Sequence, residues 1–223
     1  MPSSAIHPAL EGIRLAVFDL DGTLIDSVPD LAAAVDGALC ELALPEVGEA
    51  AVRDWVGNGS RKLVERALYA VGAQDMELEA AHEIFLRHYR QAPCRLTQVY
   101  PGVREALEAL AARGVVLGLI TNKPTAFIAP ILECLDLEHY FALTLGGDAL
   151  STRKPDPAPL LHLASRLEVA PSACLMVGDS RHDVEAGRRA GFRTLAVPYG
   201  YNHGEPVAAS EPDVMVESLG ELV

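Results

Sequence analysis

Two aspartates stand two positions apart at the end of an apolar run: LAVF (15–18) leads into Asp19, Leu20 and Asp21, then Gly22 and Thr23. Carboxylates this close repel one another unless a cation lies between them, and a divalent ion that prefers oxygen ligands meets that need. Three further polar clusters follow apolar runs later in the chain: Thr121-Asn122-Lys123, Arg153-Lys154-Pro155 and Gly178-Asp179-Ser180, with Asp183 four residues after Asp179. Asp19 and Asp179 are the natural side-chain ligands. The i, i+4 spacing lets Asp183 join them from the facing side of a helix that starts near Ser180. Magnesium suits such a set, keeps waters and commonly partners substrate phosphate. Such an ion, with one lysine, would make a locally positive place for an anionic phosphate group among the acids.

The elements that must position these groups are legible in outline. LAVFD (15–19), VVLGLIT (115–121), ALTLGG (142–147), ACLMVGD (173–179) and TLAVPYG (194–200) are near-continuously apolar, as strands covered on both faces are. Helical patterns separate the later ones. Val103, Leu107 and Leu110 share a stripe that stops at Gly114, Leu160, Leu163, Ala164 and Leu167 form another, and DVEAGRRAG ends at Gly191. Alternating strands and helices predict an α/β fold with a doubly wound, mostly parallel sheet, Rossmann-like in character. Sites in such sheets form beyond the carboxyl ends of the strands, where the four polar clusters fall. Residues 29–95 break the rhythm. Their stripes (Leu31, Val35, Leu39, Leu42; Leu63, Ala67, Leu68, Val71; Leu78, Ala81, Ile84, Phe85, His88) are all helical. The expected organisation is therefore a core of residues 1–28 and 96–223 with an all-helical domain, 29–95, inserted after the first strand. Asp26 or Ser27 would cap the first inserted helix, with Pro29 in its first turn.

Composition narrows the partners. The formal net charge is −13 over 223 residues, which argues against nucleic acid or an anionic membrane surface. An anionic substrate then needs a locally positive site. The four cysteines, Cys40, Cys94, Cys134 and Cys174, are scattered and read as reduced thiols of a cytoplasmic protein. The amino-terminal stretch MPSSAIHPALEG lacks the pattern of a signal peptide, and no apolar run is long enough for a membrane span.

DLDGT at 19–23, Thr121-Asn122, Lys154-Pro155 and GDSRHD at 178–183 are, in order and spacing, similar to the four motifs of the haloacid dehalogenase-like hydrolases. The resemblance covers the whole chain, and the helical insert looks like that family's small cap domain. Within it, WVGNGSRKLVERAL (55–68) resembles bacterial phosphoglycolate phosphatases. The resemblance implies a nucleophile at Asp19, forming an aspartyl-phosphate. It implies a general acid and then base at Asp21, whose backbone carbonyl also reaches the metal. Thr121 and Asn122 would hold phosphoryl oxygens, Lys154 would pair with Asp19 and the phosphoryl group, and Asp179 would ligate Mg2+, with Asp183 joining directly or through water. Members of the family that expel halide lack the second aspartate, so Asp21 favours an oxygen leaving group.

The expected activity is magnesium-dependent hydrolysis of a small phosphorylated metabolite, 2-phosphoglycolate. A sugar phosphate such as N-acetylmuramic acid 6-phosphate, a β-phosphoglucomutase-like transfer and phospho-ligand binding without turnover stand as alternatives. In the insert, Gly57-Asn58-Gly59 reads either as a helix–helix turn or as a substrate-facing loop, in which backbone amides with Arg61 or Lys62 bind a small carboxylate. The histidines show no ligand-like spacing, although His182 falls at the site's rim.

Overall fold

The run LAVF forms β1 (Leu15–Phe18), and none of its four side chains reaches solvent. After it come β2 (Ile25–Asp26), α1 (Val28–Glu41), α2 (Gly48–Trp55), α3 (Ser60–Ala70), α4 (Leu78–Gln91), β3 (Gln98–Val99), α5 (Val103–Ala112), β4 (Val116–Ile120), α6 (Ile128–Cys134), β5 (Leu143–Leu145), α7 (Ala158–Arg166), β6 (Cys174–Gly178), α8 (Arg181–Ala190), β7 (Arg193–Ala196) and β8 (Val214–Met215). This is a computed structural model, and it describes residues 7–223. The first half of the segment read for a signal peptide, residues 1–6, lies outside the described residues.

Six strands form one sheet in the order β5-β4-β1-β6-β7-β8, every neighbouring pair parallel. The chain builds outward from β1 through β4 and β5, then returns to β1's other side and builds outward again through β6, β7 and β8. That reversal opens a crevice beyond the carboxyl end of β1, where ligands enter doubly wound sheets. Phe18 pairs with Leu119 of β4 and Val177 of β6, so the residues just past all three strands meet at this crevice.

The alternation of side chains along β1 explains its continuous hydrophobicity. Ala16 and Phe18 pack with Leu117, Leu175, Val103, Leu107 and Ile131 under α5 and α6. Leu15 and Val17 point the other way, into a core with Met176, Leu160, Leu163 and Ala186 from α7 and α8. Helices therefore cover both faces of the sheet. Of the two faces, the first core continues without interruption into the inserted helices α1–α4, whose Val35, Leu39, Leu63, Leu68, Ala81 and Phe85 belong to it.

The helices begin and end where local chemistry directs. Ser180 N-caps α8 in a reciprocal capping box with Asp183, and Gly191 ends it in the left-handed region. Pro29 sits in the first turn of α1, as expected, but Ser27 does not cap it through its hydroxyl, which donates to Asp21 instead. The backbone N–H of Val28 donates to Asp26 Oδ1 at 3.3 Å. Four elements escape the periodicity: α2, which buries only Val52 among its eight residues, the two-residue β8, and β2 and β3, which pair antiparallel.

The β2–β3 pair ties together the chain segments entering and leaving the inserted helices. A buried carboxylate reinforces the tie. Asp30, in the first turn of α1, accepts from the backbone N–H of Leu96 (3.0 and 2.9 Å), the N–H of Thr97 (2.8 Å) and the Thr97 hydroxyl (2.7 Å).

The expectation of four free thiols is corrected. Cys94 and Cys134 are joined as a disulfide across a separation of 40 residues, while Cys40 and Cys174 are free. Spacing in sequence hides the pair, because only the tertiary fold sets the segment after α4 against the end of α6. Among the described residues no helix is long and apolar enough to cross a membrane.

Replacing Asp30 by Ala strands two backbone donors and a hydroxyl, and the expected destabilisation is about 2–4 kcal/mol. Urea unfolding should show a lowered midpoint with an unchanged slope, and a smaller loss for Asp30→Asn, which keeps an acceptor.

Candidate active site

Asp19 is the first residue past β1, where the backbone still donates to the sheet through its N–H on Val177 O (2.9 Å). Its Oδ1 accepts from the Leu20 N–H at 2.7 Å and lies 2.9 Å from Lys154 Nζ. The Lys154 side chain, 1 % exposed, also donates to Asp183 Oδ1 at 2.7 Å and to the Ile120 carbonyl at 2.8 Å. All three ammonium protons are thus engaged at the floor of the crevice. Burial alone would lower this lysine's pKa, but Asp183 and Asp19 outweigh it and raise the value.

Asp179 follows β6. Its Oδ1 accepts from the Thr23 hydroxyl at 2.6 Å and its Oδ2 from the Tyr201 N–H. Two glycines make room for it. A Cβ on Gly22, whose φ is +87°, would stand 2.3 Å from Asp179 Oδ2, and a Cβ on Gly200 would stand 2.3 Å from Asp179 Cβ. The Asp-Gly turn after β1 therefore needs glycine both for its backbone conformation and for the close approach of a carboxylate. Asp183 reaches the same place from α8, its Oδ2 taken by the N–H and hydroxyl of Ser180 at 3.1 and 2.7 Å.

Asp19, Asp179 and Asp183 each bring a carboxylate oxygen within 4.8 Å of the others, and all three are buried. Burial, followed by the like charge of Asp183 and Asp19, raises Asp179 well above the ordinary carboxylate range. Burial likewise pushes Asp19 up to about 7, against the lowering effect of Lys154. Three buried hard oxygen donors, of which Asp19 and Asp179 are held back from ionisation, are the donor set a divalent cation such as Mg2+ relieves, so these residues fit the ion.

Asp21 sits one turn further on. Its Oδ1 accepts from Lys123 Nζ at 2.8 Å and from the Ser27 hydroxyl. Thr121 is buried past β4, held by its N–H on Leu145 O at 3.0 Å, and its Oγ1 accepts from the Lys123 N–H at 3.1 Å. Asn122 Nδ2 donates to two carbonyls, Gly57 O of the insert at 2.9 Å and Lys154 O at 3.1 Å, while its buried Oδ1 has no partner.

A small pocket, partly open to solvent, joins this machinery to the inserted helices. Asp19, Asp21, Thr121, Asn122 and Lys123 line its core side, and Leu31, Val56, Gly57, Gly59, Ser60, Leu63, Phe85 and Tyr89 the insert side. The structure thus brings together Asp19, Asp21, Thr121, Asn122, Lys154, Asp179 and Asp183, with Gly57 and Gly59 facing them.

Asn58 turns away from the pocket. Its Oδ1 accepts from Arg66 Nη2 at 2.7 Å, which leaves its Nδ2 to donate to His182 Nε2 at 2.9 Å. Burial lowers the His182 pKa to about 4, consistent with a neutral ring that accepts there. Arg61 and Lys62 lie outside the pocket lining. Arg61 pairs with Glu79 at 2.6 Å and Lys62 with Glu65 at 2.5 Å, all four side chains well exposed. A helical register does not reveal which face meets the core, and the nearby glutamates claim both cations. Sequence reasoning assigned no role to Lys123 or Tyr89. The signals were Lys123's place at the strand-end cluster and Tyr89's position four residues after Phe85 on one stripe.

A doubly wound sheet whose strand ends gather four carboxylates and a buried lysine beneath a helical cap describes a class of hydrolases. The model of the haloacid dehalogenase-like hydrolases matches residues 16–197, and the chain belongs to that family. Among individual relatives, the phosphoglycolate phosphatase of Pseudomonas fluorescens Pf-5 is 49 % identical over 214 residues, covering 94 % of this chain and 78 % of the relative. The phosphoglycolate phosphatase of Escherichia coli K12 is 43 % identical over 232 residues, covering 96 % and 92 %. A crystal structure of a predicted phosphoglycolate phosphatase from Haemophilus somnus 129PT superposes with a TM-score of 0.90 at 37 % identity, covering 95 % and 96 %. The chain is an enzyme of the phosphoric monoester hydrolases, similar to these phosphatases.

The raised pKa of Asp19 carries a sign for stability. A carboxyl whose folded pKa lies near 7 rather than 3.8 favours the fold fully below about pH 3.8 and loses that contribution as the pH climbs through 7. Asp19→Asn should therefore raise Tm in EDTA-treated protein at pH 8 and leave it nearly unchanged at pH 4. Thermal scans at the two pH values check this.

Proposed function

We propose that this enzyme hydrolyses 2-phosphoglycolate to glycolate and inorganic phosphate, with Mg2+ and through a phosphorylated Asp19. One juxtaposition carries the reading: Asp19 and Asp21 line the same pocket, each held by its own buried lysine, Lys154 at 2.9 Å and Lys123 at 2.8 Å. The names of the relatives support the choice of ester.

In this reading Asp19 attacks with the oxygen that Lys154 and Leu20 leave free. A bond forms from that oxygen to phosphorus, the bond from phosphorus to the glycolate oxygen breaks, and Asp21 delivers its proton to the departing oxygen. Asp21, now a carboxylate, takes a proton from a water that attacks phosphorus. The acyl-phosphate bond breaks, and phosphate leaves with Asp19 restored. Thr121 and the Asn122 amide orient the phosphoryl oxygens, and Lys154 offsets charge on Asp19 as the anion approaches.

Asp19, Asp179 and the backbone carbonyl of Asp21 would hold the ion. Asp183, whose two oxygens already serve Lys154 and Ser180, would reach it through water and hold the lysine in place. When bound, Mg2+ supplies Lewis-acid neutralisation of the phosphoryl oxygens. Residues 29–95 act as the cap on a core of residues 1–28 and 96–223. The stretches around 28/29 and 96–101 are its hinges, and closure excludes bulk water from the reacting phosphate.

A panel of phosphate esters assayed with Mg2+ tests the reading. The expected result is phosphate release from 2-phosphoglycolate with kcat/KM at least roughly tenfold above sugar esters, including N-acetylmuramic acid 6-phosphate, and nucleotide esters. Isomerised sugar phosphate in place of free phosphate would overturn it. EDTA should abolish turnover and added Mg2+ should restore it, while Asp19→Asn should leave no measurable turnover in a folded protein.

A further inference from the structure

On the pocket's insert side the polar side chains are Ser60 and, from α4, Tyr89; Lys123 faces Tyr89 from the core side, reaching in from beyond β4. The Lys123 side chain is 3 % exposed, its ammonium 2.8 Å from Asp21 and 4.9 Å from the centre of the Tyr89 ring. Tyr89 is 2 % exposed, with its ring against Phe85 (5.8 Å) and Phe127 (4.7 Å). Its hydroxyl is buried beside the Lys123 ammonium and makes no hydrogen bond of good geometry among the described residues. Buried hydroxyls in native proteins are nearly always satisfied, and one that is not, on a pocket wall, calls for a ligand acceptor. Lys123 is also the one cation among the residues that line this pocket, which holds two carboxylates of its own.

We propose that Lys123 Nζ and the Tyr89 hydroxyl form the subsite that receives the carboxylate of the leaving group, so that the enzyme selects phosphate esters of short 2-hydroxy acids. The proposal rests on the activity proposed above. Its geometry follows from the chemistry of the substrate. In 2-phosphoglycolate only two bonds separate the ester oxygen, which Asp21 must protonate, from the carboxylate carbon. A donor for that carboxylate must therefore stand beside Asp21, as Lys123 does. The ammonium has three protons, so it can hold Asp21 and a ligand oxygen at once. Tyr89 offers a second donor without adding charge. The exposed Arg61 and Lys62, paired with Glu79 and Glu65, are not needed for this task. An ester that lacks the carboxylate leaves both buried donors unanswered, and sites built this way reject such analogues strongly.

The test compares 2-phosphoglycolate with ethyl phosphate, which carries a methyl group where the carboxylate stands, for wild type, Tyr89→Phe and Lys123→Met with Mg2+. Tyr89→Phe removes an unpartnered hydroxyl and is expected to fold, so the proposal stays testable even if Lys123→Met does not. The ratio of kcat/KM for 2-phosphoglycolate over ethyl phosphate should fall roughly tenfold in Tyr89→Phe, mainly through KM, and by roughly a hundredfold in Lys123→Met. If wild type strongly prefers 2-phosphoglycolate but each variant loses the same factor on both esters, the subsite is overturned and the proposed activity stands. If wild type shows no preference for 2-phosphoglycolate, the activity and the subsite fall together.

Discussion

A single buried ammonium organises the carboxyl edge of the sheet. Lys154 spans the end of β4 through the Ile120 carbonyl, the end of β1 through Asp19 and the start of α8 through Asp183. Taking any of these charges out of water alone would be prohibitive, and only their mutual arrangement makes the burial tolerable. The surrounding features follow from that constraint. Ser180 occupies the second oxygen of Asp183, so that the carboxylate faces the lysine in one orientation. Gly178 has no room for a side chain, since a Cβ there would lie 2.2 Å from Asp183 Cβ. The same carboxylate that caps α8 therefore also fixes the lysine, which ties helix start and catalytic edge into one unit.

The inserted helices are bound to this edge by polar contacts of a different kind. Asn122 donates to Gly57 O, His182 accepts from Asn58, and His203 meets the Asp54 carbonyl at 3.0 Å. These are neutral hydrogen bonds, individually worth about 1 kcal/mol. Arg53 of α2 adds a charged contact, pairing with Asp26 of β2 at 3.1 Å, and the apolar core that runs from the sheet into α1–α4 joins the two parts beneath them.

Much of this was legible in the sequence, for a definable reason. Asp19, Asp21, Thr121 and Asp179 follow strands whose unbroken hydrophobicity marks them as central, and the ends of central parallel strands gather at one crevice; Lys154 enters it from the loop after the edge strand β5. What stayed hidden depends on partners far away in the chain. Asp30 serves Leu96 and Thr97, 66 and 67 residues on, and Tyr201 reaches back 175 residues to the hydroxyl's acceptor at Asp26. The helix α2 has one buried residue and so no stripe to read. Arg61 and Lys62 open a helix after a glycine-rich turn, as anion ligands do, but Lys62 pairs with Glu65 one turn on in the same helix and Arg61 with Glu79, which sequence order does not bring into view.

The Cys94–Cys134 bridge gives the molecule a clasp. Cys94 follows the last inserted helix and precedes β3, while Cys134 closes α6 against the sheet, so the sulfur link runs across the very joint on which the insert would swing. The segment leaving the insert is thus held twice, by sulfur to the sheet's own helix and by hydrogen bonds to the incoming segment through β2 and Asp30, and a thiol reductant would remove only the first of these ties.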